Sequence, residues 1–432
     1  MVNVESKITE EETNHHPRVF IESAIKPKRT AENLSQPYSD SDFAFVVHRP
    51  GVYRLFKWLK TQFLAQGAGV HFICPAVLPF PIETNGMQTE KEIGKLDYLF
   101  VTDLTDFPLE IITLAKQNNP HVKIIFIEQT ENSALRSVPT MISHGISPRL
   151  ILTVTQEAAQ KVQTQLPTDY SALVKAIGNP EIYGSSLDPK KIRREVREKL
   201  TIENSTKLIT YIGRPDGANF DTEIIDPKKP NDSLALQSAL LALIDIAKQQ
   251  PEQVFKLIYL PHPADPLSVS LWIKILQSSN GHLPNNLQLS YDPRRSDHDC
   301  NNHGQKRENI LQIDTNHLAL ASDLVLTIRS TVGQTMALLG ALRDPQTPIP
   351  LTLHLLLDKF MENIETSAKP DQLLILRLGA APFAQNDRDL GTLIRRALFD
   401  QEFITKFRQQ QAQHLPNEFF HQQTAETIGH YL

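Results

Sequence analysis

Short apolar runs alternate with stretches of helical periodicity along most of this chain. The run Phe43-Ala-Phe-Val-Val47 meets a turn at His48-Arg49-Pro50-Gly51, and 52–66 then carries Leu55, Phe56, Leu59 and Phe63 on one helical face. Further strands are predicted at 70–73, 96–102, 122–127, 150–154 and 173–177, with helices at 108–118 and 156–165. Strands this uniformly apolar, separated by helices, predict parallel pairing with helices on both faces. A second series starts at Lys207, with strands at 208–212, 255–260, 287–290, 310–313 and 324–328 and helices at 232–249 and 266–277. Beyond Gly340 the pattern reads as helix over 351–361, strand over 373–378 and helix over 389–399, with one or two helices in 402–432. The fold class expected is α/β, with two Rossmann-like domains enclosing a cleft at the carboxyl ends of their strands.

Residues 1–41 are polar, with a Glu10-Glu11-Glu12 run and prolines at 17, 27 and 37, and read as a flexible or surface-draped leader. Gly178-Asn179-Pro180 and the Lys-, Arg- and Glu-rich stretch 188–199 mark a composition shift. The domains expected are therefore 42–180 and 181–401, followed by the tail 402–432. The charged stretch reads as a solvated helical face that can also attract an anionic acceptor or a membrane surface. Residues 291–308 are polar and read as an exposed loop; Asp297-His298-Asp299-Cys300-Asn301-Asn302-His303 does not match closed zinc-site spacing, so no metal is expected.

A length of 432 residues favours two domains over one core. With 40% hydrophobic and 22% charged residues and a net charge of −5, the chain is of the soluble globular class, and nucleic acid is not expected as a partner. Cys74 and Cys300 do not make a disulfide framework. No apolar run is long enough to span a bilayer and no hydrophobic targeting segment opens the chain, so the cytoplasm is the expected compartment.

The chemistry concentrates after the strand 324–328, where Ser330, Thr331 and Gly333 form a small-residue turn into an apolar helix. Free N–H groups and the helix dipole at such a turn favour an anion, most often phosphate, by about 0.3–1 kcal/mol and up to about 2 when partly buried. A tight turn with no ligand explains the same residues. Gly213 closes an earlier strand, the loop 214–231 follows it, His262 follows another, and Arg329 adds a cation; together they suit a diphosphate. The first domain has no Gly-x-Gly-x-x-Gly, so the dinucleotide fingerprint is absent.

The order Gly178-Asn179-Pro180, an Arg/Lys-rich helix, Leu-Ile-Thr-Tyr-Ile-Gly213, Leu-Pro-His262-Pro263 and Ser-Asp323-Leu-Val-Leu-Thr with Ser330-Thr-Val-Gly333 resembles glycosyltransferases of the GT-B fold. The branch it resembles holds nucleotide-sugar 2-epimerases, glycerophosphotransferases of teichoic-acid synthesis and capsule-type transferases, and the likeness covers most of 170–400. It implies that the second domain binds a UDP-, CDP- or GDP-linked sugar, that the first binds an unknown acceptor, and that the final helix crosses back onto the first. Gly213, Ser330, Thr331 and Gly333 would then face the diphosphate, with His262 near the phosphates or base. Where the family commonly has a ribose-binding Glu, this chain has Thr335 with Gln334 beside it, a change expected to weaken donor binding about tenfold.

An inverting transfer needs a general base. His48, at the end of the first strand, has the right chemistry, with an unperturbed pKa of about 6.5. Asp103 and Glu128, after later strands, are rival bases, and each can instead cap the next segment. His48 can equally be a hydrogen-bonded structural residue, and His262-Pro263 a rigid strand exit. The reading is a metal-independent glycosyltransferase-like enzyme. A nucleotide-sugar 2-epimerase is the alternative, without an acidic cluster after Ser330 to support it. A non-catalytic binding protein is favoured by Thr335 and by Arg343-Asp-Pro-Gln-Thr-Pro348, where such enzymes continue into a strand.

Overall fold

A computed structural model describes residues 19–23, 41–48, 50–75, 93–128, 133–178, 188–214, 218–219, 224–225, 230–262, 283–291, 313–343, 347–361, 370, 373–419 and 428. The chain divides into two compact units, one comprising Met1–Gly184 with His421–Leu432 and the other Ser185–Phe420.

In the first unit, strands β1 (Val19–Ser23), β2 (Asp42–Val46), β3 (Gly69–Pro75), β4 (Tyr98–Val101), β5 (Lys123–Ile127), β6 (Leu150–Thr153) and β7 (Leu173–Ala176) form one sheet. Its order is β1-β3-β2-β4-β5-β6-β7, and β2 to β7 pair in parallel. Helices α1 (Pro50–Ala65), α2 (Asp106–Asn118), α3 (Ser133–Ser143) and α4 (Gln156–Gln165) connect them. Phe43, Phe45 and Phe100 pack one face of the sheet against Leu55, Phe56, Leu59 and Phe63 of α1, with the Phe45 and Phe56 rings stacked at 4.7 Å. Ala44, Val46, Leu99 and Val101 line the other face against Ile111, Ile112, Val138 and Met141. Both faces are covered, which is why these strands carry no polar alternation. Ile428, near the chain end, is buried in the α1-side cluster.

Two features depart from the sequence reading. The segment taken as a leader contributes β1, antiparallel to β3 from Val19↔Pro75 to Ser23↔His71. β3 would otherwise be a bare edge, and pairing satisfies its backbone groups without needing an amphipathic pattern. Helix α3 has Pro139 in its interior, which hid it from a reading in which proline ends helices.

The second unit contains β8 (Lys207–Ile212), β9 (Ala218–Asn219), β10 (Ile224–Ile225), β11 (Phe255–Leu260), β12 (Leu287–Tyr291), β13 (Leu324–Thr327), β14 (Leu351–Leu355) and β15 (Phe383–Ala384). Its helices are α5 (Pro189–Lys199), α6 (Asp232–Gln249), α7 (Thr315–Ala321), α8 (Thr331–Leu342), α9 (Asp358–Met361), α10 (Leu374–Arg377), α11 (Asp387–Phe399) and α12 (Gln401–Phe419). Six strands make a parallel sheet in the order β12-β11-β8-β13-β14-β15, while β9 and β10 form a short antiparallel pair. Residues 351–361, expected as helix, begin with β14, because Leu351–Leu355 lies alongside β13 in the sheet. Residues 373–378, expected as strand, close into the single turn α10, and β15 pairs with β14 instead. The expected helix at 266–277, the loop at 292–308 and most of the expected strand at 310–313 lie outside the described residues.

The charged stretch is less solvated than its composition implies. Asp188 caps α5 by accepting from Lys190 N at 3.0 Å and Lys191 N at 3.2 Å. Arg193 and Arg197 turn inward to the carbonyl of Ala321 and the carboxylate of Asp323, and Arg197 also donates to the carbonyls of Glu203 and Thr206. At the other end, α12 lies against α8. Arg408 donates to the carbonyl of Ile349 and Gln411 to that of Ala380 at 2.8 Å. A side chain at Gly340 would strike the Arg408 guanidinium, so this glycine permits the close approach of the two helices.

Candidate functional site

In an open parallel sheet, ligands bind beyond the carboxyl ends of the strands where the winding direction reverses. In the first unit that reversal lies at β2, which has its successor β3 on one side and β4 on the other. The β2–β4 register runs Phe43↔Tyr98, Ala44↔Leu99, Phe45↔Phe100; carried three residues further, it sets His48 opposite Asp103. The two side chains meet, with His48 Nε2 2.8 Å from Asp103 Oδ2. The other carboxylate oxygen accepts from Thr105 Oγ1 at 2.9 Å and Thr105 N at 3.3 Å. A carboxylate accepts only, so in the neutral ring the proton sits on Nε2 and Nδ1 keeps a lone pair. That Nδ1 is buried and has no hydrogen-bond partner among the described residues.

Glu128 stands level with Asp103 on the next strand, yet its surroundings differ. One of its oxygens accepts from Ala134 N at 3.2 Å and the other from Val154 N at 2.7 Å. It braces the start of α3 against the end of β6, where the helix dipole favours its charge. Both of its oxygens thus accept from backbone N–H groups.

In the second unit the reversal lies at β8, between β11 and β13. Gly213 and the buried Arg214 follow β8, and Arg329 and Ser330 follow β13. The Thr327 hydroxyl donates to the Ile212 carbonyl at 3.0 Å and ties the two strand ends together. His262 sits two residues beyond β11 on the same edge and is half-buried. Gly213, Arg329, Ser330, Thr331 and His262 therefore belong to strand exits at one edge of one sheet.

The turn into α8 is built around Ser330, whose extended backbone and side chain make it the N-cap, with Oγ accepting from Val332 N at 3.2 Å. Its carbonyl accepts from Gly333 N at 3.0 Å. Thr331 is exposed, whereas the Thr335 hydroxyl donates back to the Thr331 carbonyl at 3.0 Å and is committed to its own helix. Gln334 is buried, and its Nε2 has no partner among the described residues.

The glycines have packing reasons of their own. A Cβ at Gly213 would lie 2.9 Å from the Tyr259 ring and 3.0 Å from the Asp232 carboxylate. At Gly333 it would lie 3.0 Å from Thr352 Cγ2 and 3.2 Å from His354 Nε2. Tight helix and strand packing accounts for both without a ligand.

Sequence reasoning missed three residues. Thr105 orients Asp103, Arg214 is a fully buried cation at the β8 exit, and His354 lies beneath Gly333. Only His354 left a signal, as a lone histidine in the apolar run Leu-Thr-Leu-His-Leu. Among the described residues no group of three or more His, Cys, Asp or Glu side chains is placed to hold a metal, and no helix is long and apolar enough to cross a membrane. The 297–303 stretch lies outside the described residues.

No family model matches the chain, and no curated protein matches it either. Solved structures do. A UDP-GlcNAc 2-epimerase of Methanocaldococcus jannaschii, in complex with UDP-GlcNAc and UDP, is 12% identical with a TM-score of 0.49, over 90% of this chain and 98% of that one. HepE of Anabaena in complex with UDP-glucose is 13% identical with a TM-score of 0.48, over 90% and 99%. The wall teichoic acid polymerase TagF, soaked with CDPG, is 10% identical with a TM-score of 0.49, over 93% and 89%. The residue roles proposed below rest on the local geometry rather than on these likenesses.

Proposed function

We propose that this chain is a glycosyltransferase-like enzyme that moves a sugar, or a related phospho-group, from a nucleotide-activated donor to a hydroxyl acceptor. The observation that carries the reading is the His48–Asp103 pair at 2.8 Å, with His48 Nδ1 left as a buried lone pair at a strand reversal. Buried polar atoms are normally satisfied, and an imidazole nitrogen without a partner among the described residues, at the carboxyl end of a strand reversal, offers a place for an acceptor hydroxyl to donate. In the reading, Nδ1 takes the acceptor proton as the acceptor oxygen bonds to the transferred carbon or phosphorus. Asp103 steadies the imidazolium through Nε2–H, and the donor bond breaks toward the nucleotide. General-base help of this kind contributes about 10²–10⁴-fold.

The second unit has a donor-binding candidate of its own: negative charge on a diphosphate would be met by Arg214 and Arg329, the Thr331 hydroxyl and the N-terminus of α8. UDP-, CDP- and GDP-sugars are the donors to test; the UDP-sugars and CDPG named for the neighbouring structures make UDP and CDP the first choices. A non-catalytic nucleotide-binding protein is the second reading, favoured by Thr335, whose hydroxyl is turned onto its own helix. Calorimetric titration with the three nucleoside diphosphates and their sugars, followed by a donor-hydrolysis assay, separates the two. Binding with slow hydrolysis that falls at least a hundredfold in His48→Ala, at unchanged affinity, supports the enzyme. Binding without turnover supports the second reading, and no binding to any of them overturns both.

A further inference from the structure

His354 is a buried polar residue of the second unit that neither the sequence reading nor the donor reading uses. It lies on β14, beside β13 and two strands from the reversal at β8, and is 1% exposed. In a sheet covered on both faces, Leu351, Leu353 and Leu355 are expected, whereas Thr352 and His354 on the intervening positions are not. Both lie against the first turn of α8, at the spot where Gly333 has no side chain.

The imidazole has two contacts of different kinds. Nδ1 lies 3.0 Å from the carbonyl oxygen of Ile328. A carbonyl can only accept, so Nδ1 carries a proton, and burial, which lowers the pKa to about 4, keeps the ring neutral near pH 7. Nε2 is then an unprotonated nitrogen, buried, without a hydrogen-bond partner among the described residues and pointed at Gly333. Ile328 is the first residue past β13 and the last before Arg329-Ser330. One ring therefore touches the Ile328–Gly333 turn at both ends, by a hydrogen bond where the turn begins and by contact where the helix starts.

We propose that His354 is a positioning residue that holds the Ile328–Gly333 turn in the conformation that presents its amides and hydroxyls to the donor's diphosphate. A hydrocarbon here would fill the space under Gly333 but leave the Ile328 carbonyl unsatisfied, freeing the turn to swing. Burial supports the neutral form: desolvation lowers the His354 pKa from 6.5 to about 4, with the Ile328 hydrogen bond acting the other way. The ligand named rests on the donor reading; the hold on the turn does not.

The test compares His354→Asn, whose amide N–H can occupy the place of Nδ1–H, with His354→Leu, which has no donor. In the nucleotide-free protein, amide hydrogen exchange at residues 329–334 should rise about tenfold in the leucine variant and stay within about twofold of the parent in the asparagine variant, the scale of one buried hydrogen bond. The dissociation constant for UDP or CDP should follow the same order, about tenfold weaker for leucine and near the parent for asparagine. Equal exchange in the parent and the leucine variant overturns the proposal. Equal loss in both variants, or exchange raised alike across β8 and β11, also overturns it by making the ring a packing element only. Should the leucine variant not fold, His354→Gln, whose amide reaches toward Nε2 instead, takes its place and should fail where asparagine succeeds. A parent protein that binds no nucleotide refutes the donor reading, while the exchange comparison still decides the role of His354.

Discussion

Asp103 holds His48 at 2.8 Å across two neighbouring parallel strands, although 55 residues separate them in the chain. The bond fixes which imidazole nitrogen carries the proton, and so which one can receive another. Asp103→Asn removes the obligate acceptor and allows the wrong tautomer. Turnover in the donor-hydrolysis assay should fall about 10²–10⁴-fold while nucleotide affinity stays within about twofold. Thr105→Val, which only loosens the carboxylate, should cost about tenfold or less. An asparagine variant with parental turnover would dismiss the pair as a catalytic device.

Arg197 is 3% exposed and shares the Asp323 carboxylate with Arg193. Desolvation lowers the Arg197 pKa and the Asp323 charge opposes that shift. Asp323 also accepts from Leu208 N at 2.7 Å, so it joins α5 to the start of β8. Removing it in Asp323→Ala leaves a buried cation uncompensated and should destabilise the second unit by about 3 kcal/mol. Urea unfolding of the variant would show this as a lowered midpoint for the second unit, whereas Lys191→Ala on the exposed side of α5 should leave the midpoint unchanged.

Acid should weaken the second unit through His354. Its folded-state pKa is about 4 against 6.5 when exposed, so the unfolded chain binds the extra proton first. Stability is therefore full above about pH 6.5 and falls as pH drops toward 4, by at most about 3 kcal/mol for this one group. Urea midpoints at pH 7, 5.5 and 4.5 test it. The decline should be smaller by that amount in His354→Asn, which does not titrate.

Thr201 has φ of 53°, in the left-handed region just past the end of α5. A β-branched residue is strained there, and glycine is not. Thr201→Gly should raise stability by about 0.5–1 kcal/mol, read as a higher thermal midpoint with unchanged nucleotide affinity.

Strands β2 to β8 and β11 to β13 were legible because most of them are buried and continuously apolar, and α1 was legible because Leu55, Phe56, Leu59 and Phe63 repeat at helical spacing. The misread segments are those where local pattern is ambiguous. Leu351–Leu355 has enough leucine for either structure, and pairing with β13 makes it a strand. Arg193 and Arg197 read as solvated charge until the carbonyls of Ala321, Glu203 and Thr206 are seen to need donors.

The amino-acid order alone determined the kind of layers this chain makes and the strand exits where polar chemistry gathers, because hydrophobic period and turn residues act over a few neighbours. It nominated His48, Asp103 and Ser330 one at a time. Only the tertiary structure decided that His48 faces Asp103, that Glu128 is a backbone brace and that His354 underlies Gly333. Those outcomes depend on which strands lie side by side, and strand order is settled by long-range packing that no local pattern encodes.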